Sequence, residues 1–537
     1  MHRRLIFSLF LAVVAAPVLD LAADQNAQPV FLVSFASSAR TEPVTGRMYV
    51  AISRVNDRPP IRQAGPTGTP LFAVPVDQAA PGTDVRFSPQ TPGYPVATLG
   101  ALPAGEYWVQ PFVNVYTRFP RADGHVVWLH MDQWEGQNWR TSPGNLFGDP
   151  VKVTITPGGP PIRLVADKVI PPIPFPADTE YVKRFKIQSE RLTKFWGQPI
   201  HLGATVLLPR DYDKHPDVKY PIVFQHGHFS TAAPAGFDRD EAFKKYWLAD
   251  GTPRVIYVTV QHPSPYYDDS YAVDSENNGP YGEAILQELI PEIETRYRVI
   301  REPWARVLTG GSTGGWIALA LQVYYPDFYG GTFSLCPDGV DFRYHQIVNV
   351  YDDANAYWVE RDWTRVERPN QRRPDGNIQS MMKDENWYED IIGDKSRSGG
   401  QWDIWEATYS PVGPDGYPQR LWDKQTGVIN KTVAAAWKKY DLRHILETNW
   451  TTLGPKVAHK INVYIGDMDS YYLNMGVRML DEFFKERAKD PPFTGEVVFE
   501  PMAPHCWGPR GEDLHRRMVA HMIKHAPAGA DTKRWRQ

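Results

Sequence analysis

Cysteine is nearly missing from this chain: its 537 residues contain only two, Cys336 and Cys506. That is too few for a disulfide-built scaffold. Beyond the first 23 residues there is also no apolar run long enough to span a bilayer, which excludes a helical membrane domain. An excess of one charge is lacking too, with 58 lysines and arginines against 62 aspartates and glutamates, a net of -4. Without basic clusters there is no electrostatic footprint for nucleic acid. The low hydrophobicity of disordered chains is absent as well, since hydrophobic residues make up 42% and aromatics 13%.

What the chain does have is length for two or three domains and 49 prolines, which suit many ordered loops. The first residues carry a basic start (His2, Arg3, Arg4), an apolar stretch from Leu5 to Ala16, and Ala22-Ala23 before Asp24. This reads as a secretory signal peptide over 1–23, cut after Ala23. The apolar stretch is shorter than the ~20 residues of a spanning helix, so a stable membrane anchor is not expected. Cleavage removes Arg3, Arg4 and Asp20 and moves the net charge from -4 to -5. The expected location is exported, periplasmic or secreted.

From Pro29 to Lys168 short alternating runs are separated by glycine and proline: Arg47 to Ser53, Leu71 to Val76, Glu106 to Asn114, Val151 to Thr156 and Ile162 to Ala166. No helical period interrupts them. The pattern predicts an all-β, sandwich-like domain over 24–169. The stretch Ile170 to Pro176 is proline-dense, and residues 170–179 read as a stiff linker.

After the linker the pattern becomes α/β. Strands are predicted at Ala204–Leu208, Tyr220–Gln225, Val255–Gln261, Ala305–Leu308, Gly331–Leu335, Lys460–Ile465 and Glu496–Glu500. Between them, Glu283 to Tyr297 has a helical apolar face that Pro291 should bend, and Thr313 to Tyr325 is a small-residue helix stopped by Pro326. Alternation of this kind implies a mostly parallel sheet with helices on both faces, over 180–530. An insertion of about 340–455 contains eight of the 18 tryptophans. Most of these are expected to pack a subdomain core, and the rest to face substrate from a lid.

Chemistry concentrates at Gly310-Gly311-Ser312-Thr313-Gly314, a G-x-S-x-G string between a strand and a helix. Such a string arises by accident in roughly one chain of this length in ten, so its setting must carry the reading. In a nucleophile elbow the serine sits on a strained strand-to-helix turn, and the glycines avoid collision with nearby backbone. A serine hydroxyl needs a general base, and the base needs an orienting acid, in the chain order Ser, Asp, His. Ser312, Asp469 and His505 fit that order. Asp467, two residues earlier, and Asp338, after the preceding strand, are alternative acids. Oxyanion donors are expected from the N–H of Thr313 and, in Gln225-His226-Gly227-His228-Phe229, from the N–H of His228. No metal is expected at His226 and His228, because no third ligand stands at metal-site spacing. No cofactor is implied.

Cys336 ends one strand and Cys506 follows His505, so both belong at the C-terminal edge of the sheet. A Cys336–Cys506 disulfide would anchor the histidine loop beside Ser312, the alternative being two unlinked buried thiols. Trp316, Tyr266 and Tyr267 are candidate substrate contacts, with Tyr271 beside them.

Residues 180 to about 525 resemble the family of esterases that includes esterase D, feruloyl and enterochelin esterases, of the α/β-hydrolase fold. The resemblance rests on Leu207-Leu208-Pro209 before Tyr212, on Tyr220-Pro221 leading to His226-Gly227, and on Glu288-Leu289-Ile290-Pro291 with Glu294 and Tyr297-Arg298. It continues through Gly310 to Gly315 and Tyr325-Pro326-Asp327. In tannase-like feruloyl esterases a disulfide joins the neighbours of the catalytic Ser and His. Cys506 matches one partner, but Gly311 stands where the other would be. The resemblance implies a serine esterase acting on a small-molecule or sugar-linked ester. Alternatives are a prolyl-oligopeptidase-like peptidase and a carbohydrate-binding protein with Trp128, Trp134 and Trp139 as its platform. Oligomeric state does not follow from the sequence.

Overall fold

A computed structural model describes residues 29–156 and 158–536. The predicted signal peptide lies outside the described residues. Among the described residues, no helix is long and apolar enough to cross a membrane.

Residues 31–169 contain strands and short 3-10 turns. The five alternating runs emerge as Val44–Ser53, Leu71–Ala79, Gly105–Val115, Val151–Ile155 and Ile162–Ala166. They belong to a three-stranded sheet, a seven-stranded sheet and the pairings around them. Phe31, Val33 and Phe35 of the smaller sheet share one core with Met48, Val50 and Ile52 of the larger. Alternation explains this, because every second side chain of a strand faces the same side. The sheets are not a radial set of four-stranded blades, the arrangement a propeller needs. Residues 170–179 form neither helix nor strand.

The second region is built on an eight-stranded sheet. Its strands are β1 (Val182–Gln188), β2 (His201–Leu207), β3 (Ile222–His226), β4 (Ile256–Gln261), β5 (Arg306–Gly311), β6 (Gly331–Leu335), β7 (Ile461–Gly466) and β8 (Glu496–Glu500). Their spatial order is 1-2-4-3-5-6-7-8. Only β1–β2 and β2–β4 pair antiparallel, and β3 to β8 run parallel. Strands β3 to β6 are buried along nearly their whole length, as expected of strands covered on both faces.

The helix predicted around Pro291 runs from Tyr281 to Arg296 with a π turn over Ile285–Leu289. Pro291 has no N–H to give, and the widened turn lies just before it. Helix α1 (Thr313–Tyr324) follows β5 and is buried along all but its last residue. The insertion between β6 and β7 holds two hairpins and helices that include α2 (Met382–Ile392), α3 (Gln401–Tyr409) and α4 (Leu442–Val457). Trp402, Trp405, Trp422, Trp437 and Trp450 are buried there, whereas Trp363 is 99% exposed.

The tryptophan platform does not exist. Trp139 stacks on Tyr49, with ring centroids 4.8 Å apart, and Trp134 meets Phe229 edge-on at 5.3 Å. Trp134 and Trp139 are both buried. A residue just beyond β3 thus packs against the N-terminal β region.

Candidate active site

Strand β5 delivers Ser312 to the C-terminal edge of the sheet, and α1 starts at the next residue. Ser312 has φ 57° and ψ -122°, a conformation that costs of order 1–3 kcal/mol and is tolerated only when its surroundings enforce it. The glycines explain how. A Cβ at Gly314 would lie 2.0 Å from the carbonyl oxygen of His226, and one at Gly310 would lie 2.4 Å from the backbone of Gly314. Only glycine lets β3, β5 and α1 approach this closely.

The loop after β7 brings Asp469, and the loop after β8 brings His505. His505 Nε2 lies 3.1 Å from Ser312 Oγ, and His505 Nδ1 lies 2.7 Å from Asp469 Oδ2. Asp469 is fully buried, and its other oxygen accepts the Tyr471 N–H at 2.9 Å. The Tyr471 ring packs edge-on to the imidazole at 4.9 Å. Asp467 instead pairs with Arg478 at the surface.

Asp338 stands elsewhere again. It receives the hydroxyls of Ser312 at 3.2 Å, Thr313 at 3.0 Å and Tyr271 at 2.5 Å. Burial pushes its carboxyl up from the usual range, and the Tyr271 and Thr313 hydroxyls and the His228 and His505 rings oppose that only in part. The Tyr271 hydroxyl accepts in turn from Gln401 Nε2 at 2.6 Å and Trp405 Nε1 at 2.7 Å. A hydrogen-bonded path therefore runs from α3 of the insertion to the serine. Tyr271→Phe leaves these buried donors without an acceptor. The expected loss of stability is about 1–3 kcal/mol, read by denaturant unfolding.

Thr313 is buried and is the first residue of α1, so its N–H has no acceptor within the helix. His228 follows β3 and lines the same cavity as Ser312 and His505. Its ring is drawn to Asp268 and Asp269, which hold the imidazole protonated, Asp268 contributing most. His226 turns the other way, with Nδ1 3.4 Å from His262 Nε2, and burial keeps it neutral.

Cys336 and Cys506 are joined in a disulfide with Cα atoms 4.8 Å apart. A Cβ at Gly311 would stand 3.3 Å from the Cys506 sulfur. The bridge thus occupies the space a cysteine at 311 would use, although its second partner comes from β6. A tie across 170 residues stabilises by up to ~5 kcal/mol in the chain-entropy view. Converting both cysteines to serine is expected to lower the thermal midpoint and to loosen the His505 loop, which calorimetry and steady-state kinetics read separately.

The cavity above Ser312 measures about 310 Å³. Much of its wall comes from the insertion: Gln346, Asn370, Gln371, Gln401, Glu385, Trp402 and Trp405. Burial pushes the Glu385 carboxyl up to about 7. None of these residues belongs to a motif; the tryptophan-rich insertion was expected to lend some of its rings to the site, whereas its amides and Glu385 carry no sequence signal. Trp316, Tyr266 and Tyr267 were expected here, and they are not in the wall. Trp316, on α1 itself, is fully buried against Tyr271 and Tyr409. Tyr267 donates to the backbone of Asp403 and Ile404, and Tyr266 packs on Trp196. These side chains hold α3 and the core, so none is free for a ligand.

The fold and the serine at its elbow define an enzyme of the α/β-hydrolase type, a serine hydrolase. The model of the family described as "Putative esterase" matches residues 199–444, and the enzyme is a carboxylic ester hydrolase. No curated protein matches the sequence. Among solved structures, a ferulic acid esterase is 14% identical, covering 64% of this chain and 96% of its own, with TM-score 0.37. An S-formylglutathione hydrolase from Agrobacterium tumefaciens is 13% identical, covering 65% and 95%, with TM-score 0.35. A fluorophosphonate-binding serine hydrolase from Staphylococcus aureus is 14% identical, covering 64% and 99%, with TM-score 0.34. At these values the likenesses carry neither substrate nor mechanism.

Proposed function

We propose that the protein is an exported serine esterase that works through an acyl-enzyme, with Ser312 as nucleophile, His505 as base and Asp469 as the orienting acid. The observation that carries this reading is the continuous contact Asp469–His505–Ser312, at 2.7 and 3.1 Å, at the floor of a cavity. Ser312 Oγ attacks the ester carbonyl carbon as its proton passes to His505 Nε2. Asp469 accepts from Nδ1–H and so fixes the tautomer that leaves Nε2 free to take the proton. The oxyanion is received by the N–H groups of Thr313 and His228, each such donor being worth ~3–4 kcal/mol. Collapse expels the alcohol with the proton from His505. Water, deprotonated by His505, then releases the acid.

Side-chain amides and indole rings dominate the cavity wall, which suits an ester carrying hydroxyl or sugar groups. Export is supported by the leader pattern of residues 1–23 and by a disulfide that an oxidising compartment maintains. We place a sandwich-like domain at 24–169, a linker at 170–179 and the catalytic domain at 180–530.

The test is labelling of the whole protein with a fluorophosphonate, followed by hydrolysis of nitrophenyl acetate, methyl ferulate and acetylated sugars. Modification of the peptide containing Ser312, with loss of ester hydrolysis in proportion, is the expected result. Label on another serine, or hydrolysis that survives full labelling, overturns the reading.

A further inference from the structure

The loops after β3 and β4 meet at one cluster beside the proposed Ser312, His505 and Asp469, and it includes the side chain of His228. His228 Nδ1 lies 3.0 Å from Asp268 Oδ2 and 3.3 Å from Asp269 Oδ2. One ligand atom from each of the three residues lies within 4.8 Å of the others. We propose that His228, Asp268 and Asp269 form a binding site for a divalent transition-metal ion, zinc or manganese, at the cavity wall.

The charge balance favours a cation. Two carboxylates face a single imidazole, and among the described residues neither makes an ion pair with a lysine or arginine. Asp269 supplies a separate sign. It is 1% exposed; Oδ1 accepts the Tyr271 N–H at 3.0 Å, while Oδ2 has no hydrogen-bond partner and points at the cluster. A buried carboxylate oxygen without a donor costs free energy that a cation removes. The spacing also fits. Ligand atoms around a tetrahedral ion with bonds of ~2.0–2.1 Å stand ~3.3 Å apart, close to the two nitrogen–oxygen separations here. One imidazole nitrogen with two carboxylate oxygens suits zinc or manganese better than the all-oxygen preference of calcium or magnesium. The cation takes the place of the proton on Nδ1.

His228 is half exposed and Asp268 a quarter exposed, so the remaining coordination positions face solvent and the cavity. The ion would tie the His228 loop to the loop after β4. Under the proposed mechanism, on which only this consequence rests, it would also fix the His228 N–H against the oxyanion. Binding itself is independent of that mechanism.

The experiment uses the whole protein, stripped with chelator and dialysed, then titrated with Zn2+ or Mn2+ in a calorimeter, with metal content measured by elemental analysis. One equivalent is expected at a Kd of micromolar or tighter, together with a rise in thermal midpoint. His228→Ala and Asp269→Asn should each weaken binding at least 100-fold. Asp268→Asn, at a partly exposed position, is the variant to read if the buried change unfolds the protein. Substoichiometric uptake, or uptake unchanged in the folded variants, leaves only an imidazolium–carboxylate ion pair and overturns the site. Fluorophosphonate labelling of Ser312 needs no metal, so failure here is distinguishable from failure of the esterase reading.

Discussion

Ser312→Ala is expected to lower ester turnover by roughly four to six orders of magnitude, with the fold intact. On the proposed mechanism the Ser312 hydroxyl is the group that bonds to the substrate carbon, and His505 cannot replace it. Alanine inherits the backbone conformation of φ 57° without relieving it, so the elbow keeps its geometry. His505 Nε2 loses a partner, but its side chain is 20% exposed and water reaches it. What remains should be the rate supplied by binding and oxyanion donors, ~10³–10⁴ over water. Turnover of nitrophenyl acetate beside a thermal unfolding curve decides the matter. A variant with more than a hundredth of the original kcat would remove Ser312 from the mechanism.

Asp469→Asn should cost about 10⁴ in kcat, by analogy with the same change in serine-protease triads. Here the cause can be followed atom by atom. The Tyr471 N–H holds one carboxylate oxygen at 2.9 Å, so an asparagine keeps its carbonyl there and turns its amide NH₂ towards His505 Nδ1. Two donors then face each other unless the imidazole moves its proton to Nε2. In that tautomer Nε2 donates to Ser312 and cannot accept from it. Asp467→Asn breaks only a surface pair with Arg478 and should change kcat less than threefold, because exposed ion pairs contribute little. Asp338→Asn separates the third alternative. Asp338 hydrogen-bonds Ser312 and not His505, so the change should perturb the serine while the His505–Asp469 hydrogen bond, followed by the imidazole N–H resonance in NMR, is retained. Equal loss in Asp467→Asn and Asp469→Asn would reassign the acid.

The strands were legible because β3 to β8 each carry a short apolar run and helical periods separate several of them, and the elbow because its glycines leave a readable string. β1 escaped attention. Its residues Val182-Lys183-Arg184-Phe185-Lys186-Ile187-Gln188 carry three cations along an edge strand, which hides the alternation. The chain order pointed to Asp469 but could not exclude Asp338, since order says nothing of which carboxylate turns towards the imidazole. Tyr266, Tyr267 and Trp316 were misplaced for a similar reason: aromatic residues near a motif in sequence are as suited to holding the core as to holding a ligand. The amides of the cavity wall gave no signal, because a polar residue in an irregular insertion reads as a loop until the chain is folded. Asp268 and Asp269 lie forty residues beyond His228, and only the crossing of two loops brings them to it.

The contact between Trp134 and Phe229 has a consequence for how portable the chemistry is. Phe229 follows His228, and a Cβ at Gly136 would lie 2.7 Å from it. An irregular segment of the N-terminal β region therefore packs against the very loop that faces the serine. An excised hydrolase beginning at β1 would keep its eight strands and its serine yet lose the wall that steadies that loop. On the proposed reading the chemistry would depend on both regions, and swapping the front region for another is expected to retune the rear one.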